Sequence, residues 1–137
     1  MNLVDTNVLS EVRHPRGASR VKDRFLSLGN DLRISAIVLG EIRFGVMTAR
    51  DEVKRTELSR WYAHLVESFA HVVLPVTLAV AEAWGDLAAS ARHRGRALDA
   101  PDGLIAATAL VHDLTLWTRN TADFADTGVR LFNPWED

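Results

Sequence analysis

The 137-residue sequence contains no cysteine. Disulfides and thiolate metal sites are therefore excluded, and a reducing, cytoplasmic location is expected. The N-terminus, Met-Asn-Leu-Val-Asp, lacks a basic region followed by an apolar core, so no signal peptide is read. Long hydrophobic runs are also missing. The longest uncharged stretch, residues 68–81, is interrupted by His71 and Pro75 and is too short to cross a bilayer, so no membrane partner is expected. Repeats, linkers and low-complexity segments are absent. Excess positive charge is absent too: 16 Lys and Arg face 18 Asp and Glu, a formal charge of −2, which at first opposes a nucleic-acid partner.

What is present is ordinary for a folded domain. Apolar residues make up 47% and charged residues 25%, which argues against long disorder. The length suits one domain spanning 1–137, able to bury roughly 68% of the surface its unfolded chain would expose. Short apolar or β-branched runs at 2–4, 32–34, 71–76, 114–117 and 129–132 read as strands. Helices are expected between them. Residues 8–12 follow the cap-forming Asp5-Thr6-Asn7, and 18–28 follow the break at His14-Pro15-Arg16-Gly17. Ser35 caps a helix to about Thr48, 51–69 is amphipathic, and Thr77 caps an alanine-rich helix ending near Gly95. Pro101 suits the first turn of a further helix, 103–111, whose apolar residues on every side predict burial. Strands separated by helices imply an α/β fold with a mostly parallel sheet of about five strands, covered on both faces. In such sheets ligands bind at the carboxyl ends of the strands.

Acidic residues gather at those ends. Asp5 ends the first strand, Asp102 sits in a helix's first turn, and Asp123 follows the fourth strand by a short corner. Glu41 shares a helical stripe with Ile37, Phe44 and Gly45 that is expected to face the core. Each carboxylate has a plainer reading: Asp5 as a helix cap, Asp102 as a partner of the helix dipole, Asp123 as a cap for a short helix around Phe124. Glu41 is the hardest to explain that way. Two carboxylates about 4 Å apart repel by roughly 4 kcal/mol at an effective dielectric near 20. Four sharing one crevice must take up protons or bind a cation. Oxygen donors without His or Cys suit Mg²⁺ or Mn²⁺, and such ions assist attack at a phosphoryl centre.

Setting aside those four of the 18 acids leaves 14 against 16 Lys and Arg. The basic residues cluster at Arg13, Arg16, Arg20, Lys22 and Arg24, and again at Arg92, Arg94 and Arg96. They form either a basic rim suited to a phosphodiester or ordinary solvated helix faces. The five histidines show no ligand spacing and read as surface or structural groups. Trp61, Trp84 and Trp117 read as core, and Trp135 stays ambiguous. Arg43 and Arg119 lie beside the proposed ligands and could hold a phosphate or pair with a carboxylate. Phosphoryl transfer through an aspartyl intermediate needs a second Asp two residues after Asp5, where Asn7 stands.

Four segments in order, L-V-D-T-N-V-L-S-E at 3–11, I-S-A-I-V-L-G-E-I-R-F-G at 34–45, D-G-L-I-A-A-T-A at 102–109 and T-R-N-T-A-D-F at 118–124, resemble the PIN-domain ribonucleases. The resemblance is to the VapC-type toxins of bacterial toxin–antitoxin pairs in particular. It spans nearly the whole chain. It implies a parallel-sheet PIN fold and RNA cleavage with Mg²⁺ or Mn²⁺, with the family's acidic residues at Asp5, Glu41, Asp102 and Asp123. The polar helpers near the metal would be Thr6, Asn7, Thr118 and Asn120. Also implied are a homodimer and inhibition by a cognate antitoxin. The family's usual alanine after the third acid is Gly103 here, and Asp99 is an extra acid expected to act no closer than through a neighbouring ligand. A non-catalytic PIN-fold module that binds RNA or protein is the alternative reading.

Overall fold

A computed structural model describes all residues, 1–137. The elements alternate as expected: β1 (Asn2–Val4), α1 (Thr6–Arg13), α2 (Ser19–Ser27), β2 (Leu32–Ser35), α3 (Ala36–Thr48), α4 (Glu52–Phe69), β3 (Val73–Leu74), α5 (Leu78–His93), α6 (Ala100–Val111), β4 (Thr115–Trp117) and β5 (Leu131–Phe132). The sheet has five strands in the order β3-β2-β1-β4-β5, and every pairing is parallel.

This order fixes where a ligand can sit. From β1 the chain builds outward to β2 and β3, then returns to place β4 on the other side of β1, with Leu3 opposite Leu116 and Val4 opposite Trp117. The connections leaving β1 and β4 therefore diverge and open a crevice beyond their carboxyl ends, the switch point at which open α/β sheets bind ligands. The sheet around it is dry: Leu3, Val4, Ile34 and Leu116 are fully buried. Helices cover both faces, as an all-parallel sheet requires. On one of them Phe25 of α2 meets Phe69 of α4 edge to face, ring centroids 6.2 Å apart.

Three expectations are corrected. The core stripe of α3 is Val38, Ile42 and Val46, while Phe44 is 71% exposed. This helix is apolar on more than one side, so its composition permits either stripe, and docking on the sheet selects the one that excludes Glu41. The third strand is only Val73–Leu74, because residues Ala70–Val72 form a 3-10 turn. It is an edge strand, paired only with β2, and lacks a second neighbour to hold it extended. The end of α6 emerges from the interior, leaving Leu110 and Val111 about two-fifths exposed (39% and 40%), whereas Ile105 through Ala109 are buried. No helix is long and apolar enough to cross a membrane.

Candidate active site

Asp5 is both a cap and a member of the crevice. Its backbone N–H continues the β1–β4 ladder by donating to the Trp117 carbonyl at 2.9 Å. Its Oδ1 accepts from the Thr6 N–H at 2.7 Å, capping α1. Its Oδ2 accepts from the Thr118 hydroxyl at 2.8 Å and, at 3.4 Å, from the Asn7 amide. Asn7 Nδ2 also reaches Thr118 Oγ1 at 3.3 Å, and the Asn120 N–H donates to the same hydroxyl oxygen at 3.1 Å. Thr118 is fully buried directly past β4. Polar residues from the ends of two adjacent strands thus hold one buried carboxylate in a single orientation.

Glu41 joins from α3, where the Thr6 hydroxyl donates to its Oε1 at 2.8 Å. Asp102 enters from the first turn of α6, behind Pro101. Asp5, Glu41 and Asp102 line one groove of about 510 Å³, together with Thr6, Asn7 and Asn120. A second cavity, of about 430 Å³, is walled by Asp99, Asp102 and Asp123. Asp102 is the partition between the two, so the four predicted acids meet in a pair of adjoining cavities and not in one. Asp123 is not a cap: the short helix Thr121–Phe124 starts from Asn120, and Asp123 lies within it.

The electrostatics follow from crowding without counterions. Burial raises the pKa of Asp5, its hydrogen bonds from Thr118 and Thr6 oppose the rise, and the charge of Asp123 adds to it. Burial also raises that of Glu41, against the Thr6 bond and with help from Asp5 and Asp99. Asp102 is pushed up to about 6, by burial first and then by Asp5, Asp99, Asp123 and Glu41, with no hydrogen bond to offset them. The two ion pairs of the molecule, Arg96–Asp126 and Arg130–Asp113, leave all of these acids unpaired. Asp99, treated as marginal from sequence, belongs to this charge cluster. Its spacing of three from Asp102 across a helix start was the available signal.

The donor set is all oxygen and suits a hard divalent ion in its chemistry. As the side chains stand, however, no three of them form an arrangement that would hold an ion directly. Ligation therefore requires the carboxylates to close in, and Asp102, whose side chain makes no hydrogen bond, is free to do so.

The expected basic rim is only partly present. Arg94 and Arg96 line the second cavity, but Arg96 pairs with Asp126 and Arg94 donates to the Asp126 carbonyl. Four of the five residues of the first cluster make side-chain contacts within the chain. Arg20 and Arg24 donate to the carbonyls of Trp135 and Pro134, Lys22 donates to that of Pro15, and Arg13 lies over Trp61. Arg43 lies over Tyr62. Arg119 reaches the crevice, its N–H donating to Asn7 Oδ1 at 3.3 Å. Trp135 and Glu11 also line it. Neither is read as a site residue from the sequence: nothing local marks Trp135, delivered from the far end of the chain, whereas Glu11 stands on α1 one helical turn after Asn7, and that spacing is the available signal.

A family model described as the PIN domain matches residues 3–129. The chain belongs to the PIN-domain family. Toxin FitB of Neisseria gonorrhoeae is 38% identical over 100% of both chains. A chain in the crystal structure of FitAcB from the same organism superposes with a TM-score of 0.90 at 37% identity, again covering 100% of each. VapC ribonuclease Y4jK of Sinorhizobium fredii is 33% identical over 99% of each chain. These likenesses cover the whole PIN domain, including the segments that carry Asp5, Glu41, Asp102 and Asp123.

Proposed function

We propose that this PIN domain is an endoribonuclease that hydrolyses RNA phosphodiester bonds with Mg²⁺ or Mn²⁺. We further propose that it is the toxin of a toxin–antitoxin pair. The observation that carries the reading is the convergence of Asp5, Glu41 and Asp102 on one groove at the β1/β4 switch point, with no basic side chain paired to any of them. The names of two relatives, a toxin and a VapC ribonuclease, support the same conclusion. A cognate antitoxin and a second copy of this chain are its proposed protein partners.

Asp5, Glu41 and Asp102 would hold the ion, with Asp123 at the neighbouring position. A bound divalent ion supplies Lewis acidity toward a phosphoryl oxygen and makes water a competent nucleophile near neutral pH. The remaining work falls to the chain. The Thr118 hydroxyl and the Thr6 N–H hold Asp5 still, and the Thr6 hydroxyl holds Glu41. Asn7 links Asp5 to the Arg119 backbone, which keeps that cation at the groove's edge, where a substrate phosphate enters. No serine, cysteine or histidine nucleophile is required.

The test is end-mapping of cellular RNA after brief expression, with Asp5→Asn as control, followed by cleavage assays on purified protein with Mn²⁺ and with EDTA. New RNA ends that depend on Asp5 and vanish in EDTA are expected. Cleavage by the purified Asp5→Asn/Asp102→Asn protein at the parent rate would overturn the assignment, and binding without turnover would identify a non-catalytic module. Size-exclusion with light scattering reads the proposed dimer.

A further inference from the structure

The C-terminal turn delivers a tryptophan to the rim of the acidic groove and holds it there from several directions. The Trp135 indole N–H donates to Glu11 Oε2 on α1 at 3.1 Å. Its backbone N–H donates to Asn133 Oδ1 at 2.9 Å, and the Asn133 N–H in turn donates to Asp137 Oδ2 at 2.8 Å. Arg20 grips the Trp135 carbonyl at 3.2 Å, and Arg24 grips that of Pro134 at 3.1 Å. The Arg119 guanidinium lies over the ring, 5.1 Å from its centroid. Trp135 and Arg119 line the same groove as Asp5 and Asp102.

Core packing alone does not account for this arrangement. Trp135 packs against the core yet is only partly buried; its backbone is pinned by Asn133 and Arg20, and its ring is oriented by the Glu11 hydrogen bond under the Arg119 guanidinium, contacts that fix an orientation more than they fill space. We infer that Trp135 and Arg119 form a nucleotide platform, resting on the ribonuclease reading above. One unpaired base of single-stranded RNA stacks on the Trp135–Arg119 pair while its phosphate meets the guanidinium. This anchors the strand at the edge of the carboxylate groove. A planar cation on an indole is a surface to which any base can add its π-face. Because the indole N–H is already engaged by Glu11, the platform selects for an unpaired base and not for its identity.

The test compares a fluorescein-labelled 12-nucleotide oligo(A) with a 12-nucleotide strand of abasic riboses, which keeps the phosphates and removes the bases. Binding is read by anisotropy in EDTA, and KM and kcat for the oligo(A) strand are read in Mn²⁺. The parent should prefer the strand with bases by roughly tenfold, in line with one stacked base. Trp135→Leu, which keeps an apolar side chain against the core, should lose that preference and show a raised KM with kcat within about twofold; Trp135→Phe should restore both. If Trp135→Leu does not fold, the emission of the parent minus that of Trp135→Phe is read directly, and quenching by oligo(A) but not by the abasic strand is expected. A parent that shows no base preference, or a Trp135→Leu protein that keeps it, overturns the platform while leaving cleavage, measured separately, to stand. Absence of both cleavage and binding overturns platform and nuclease together.

Discussion

Gly103 lies directly beneath the Trp84 indole: a Cβ built on it would stand 2.7 Å from Cδ1 and 3.0 Å from Nε1 of that ring. The absence of a side chain at Gly103 therefore admits α5's tryptophan against the helix turn that carries Asp102. Gly103→Ala should cost about 1–3 kcal/mol, in the range of an overpacked core, in a urea titration. It should also lower cleavage by displacing Asp102. Trp84→Leu in the same chain should restore much of both, and failure of that rescue would show that the contact is not what limits the alanine.

Thr118 offers a second test, since its buried hydroxyl serves Asp5, Asn7 and Asn120 together. Thr118→Val keeps the shape and removes the oxygen, leaving a buried carboxylate short of a donor. A loss of about 1–3 kcal/mol is expected, together with slower cleavage. Unchanged stability by urea unfolding would mean that water replaces the hydroxyl without cost.

The acid cluster also dictates a pH dependence. Burial and the neighbouring carboxylates push Asp102 up to about 6 in the folded chain, from the ordinary 3.8, so between those values the native state holds a proton that the unfolded chain has released. Its contribution to stability is complete below about pH 4 and is lost as pH rises through 6. Asp5 and Glu41 shift in the same direction. The metal-free protein should therefore melt higher at pH 5 than at pH 7.5 in differential scanning calorimetry. Mn²⁺ should raise the pH 7.5 value by binding the native state, and Asp102→Asn should raise it without metal. Metal-free melting that increases from pH 5 to 7.5 would contradict the clustering of these acids.

The two stripes of α3 can be told apart by mutation. Ile42 is buried and Phe44 is exposed, so Ile42→Ala should cost about 2–5 kcal/mol while Phe44→Ala should stay within about 0.5 kcal/mol. Equal losses in denaturant would place the helix in the other orientation.

Much of the site was legible as local chemistry. Asp5 follows three sheet residues and precedes a helix, and Asp102 follows a proline at a helix start, so their places at element ends could be read from neighbouring residues. Glu41 was singled out for the wrong reason. Helical spacing predicts that its stripe enters the core, whereas the helix turns that side to the groove and buries Val38, Ile42 and Val46 instead. Asp99 is visible in the sequence as an extra acid, and the fold adds that its charge raises the pKa of Asp102 and Glu41. Trp135 and Glu11 could not be paired from the chain, since their hydrogen bond spans 124 positions.

The amino-acid order alone determined the alternation of strands and helices, the caps at Ser35 and Thr77, and the presence of acids where strands end, because period, propensity and capping act over a few residues. Tertiary structure decided which helix face meets the sheet and that Asp102 is the partition between two cavities. It also decided that arginines expected at a rim clamp the C-terminus, and that Trp135 returns to the groove. Those outcomes depend on which surfaces exclude water when distant segments pack, a property of the assembled sheet that no stretch of the sequence carries by itself.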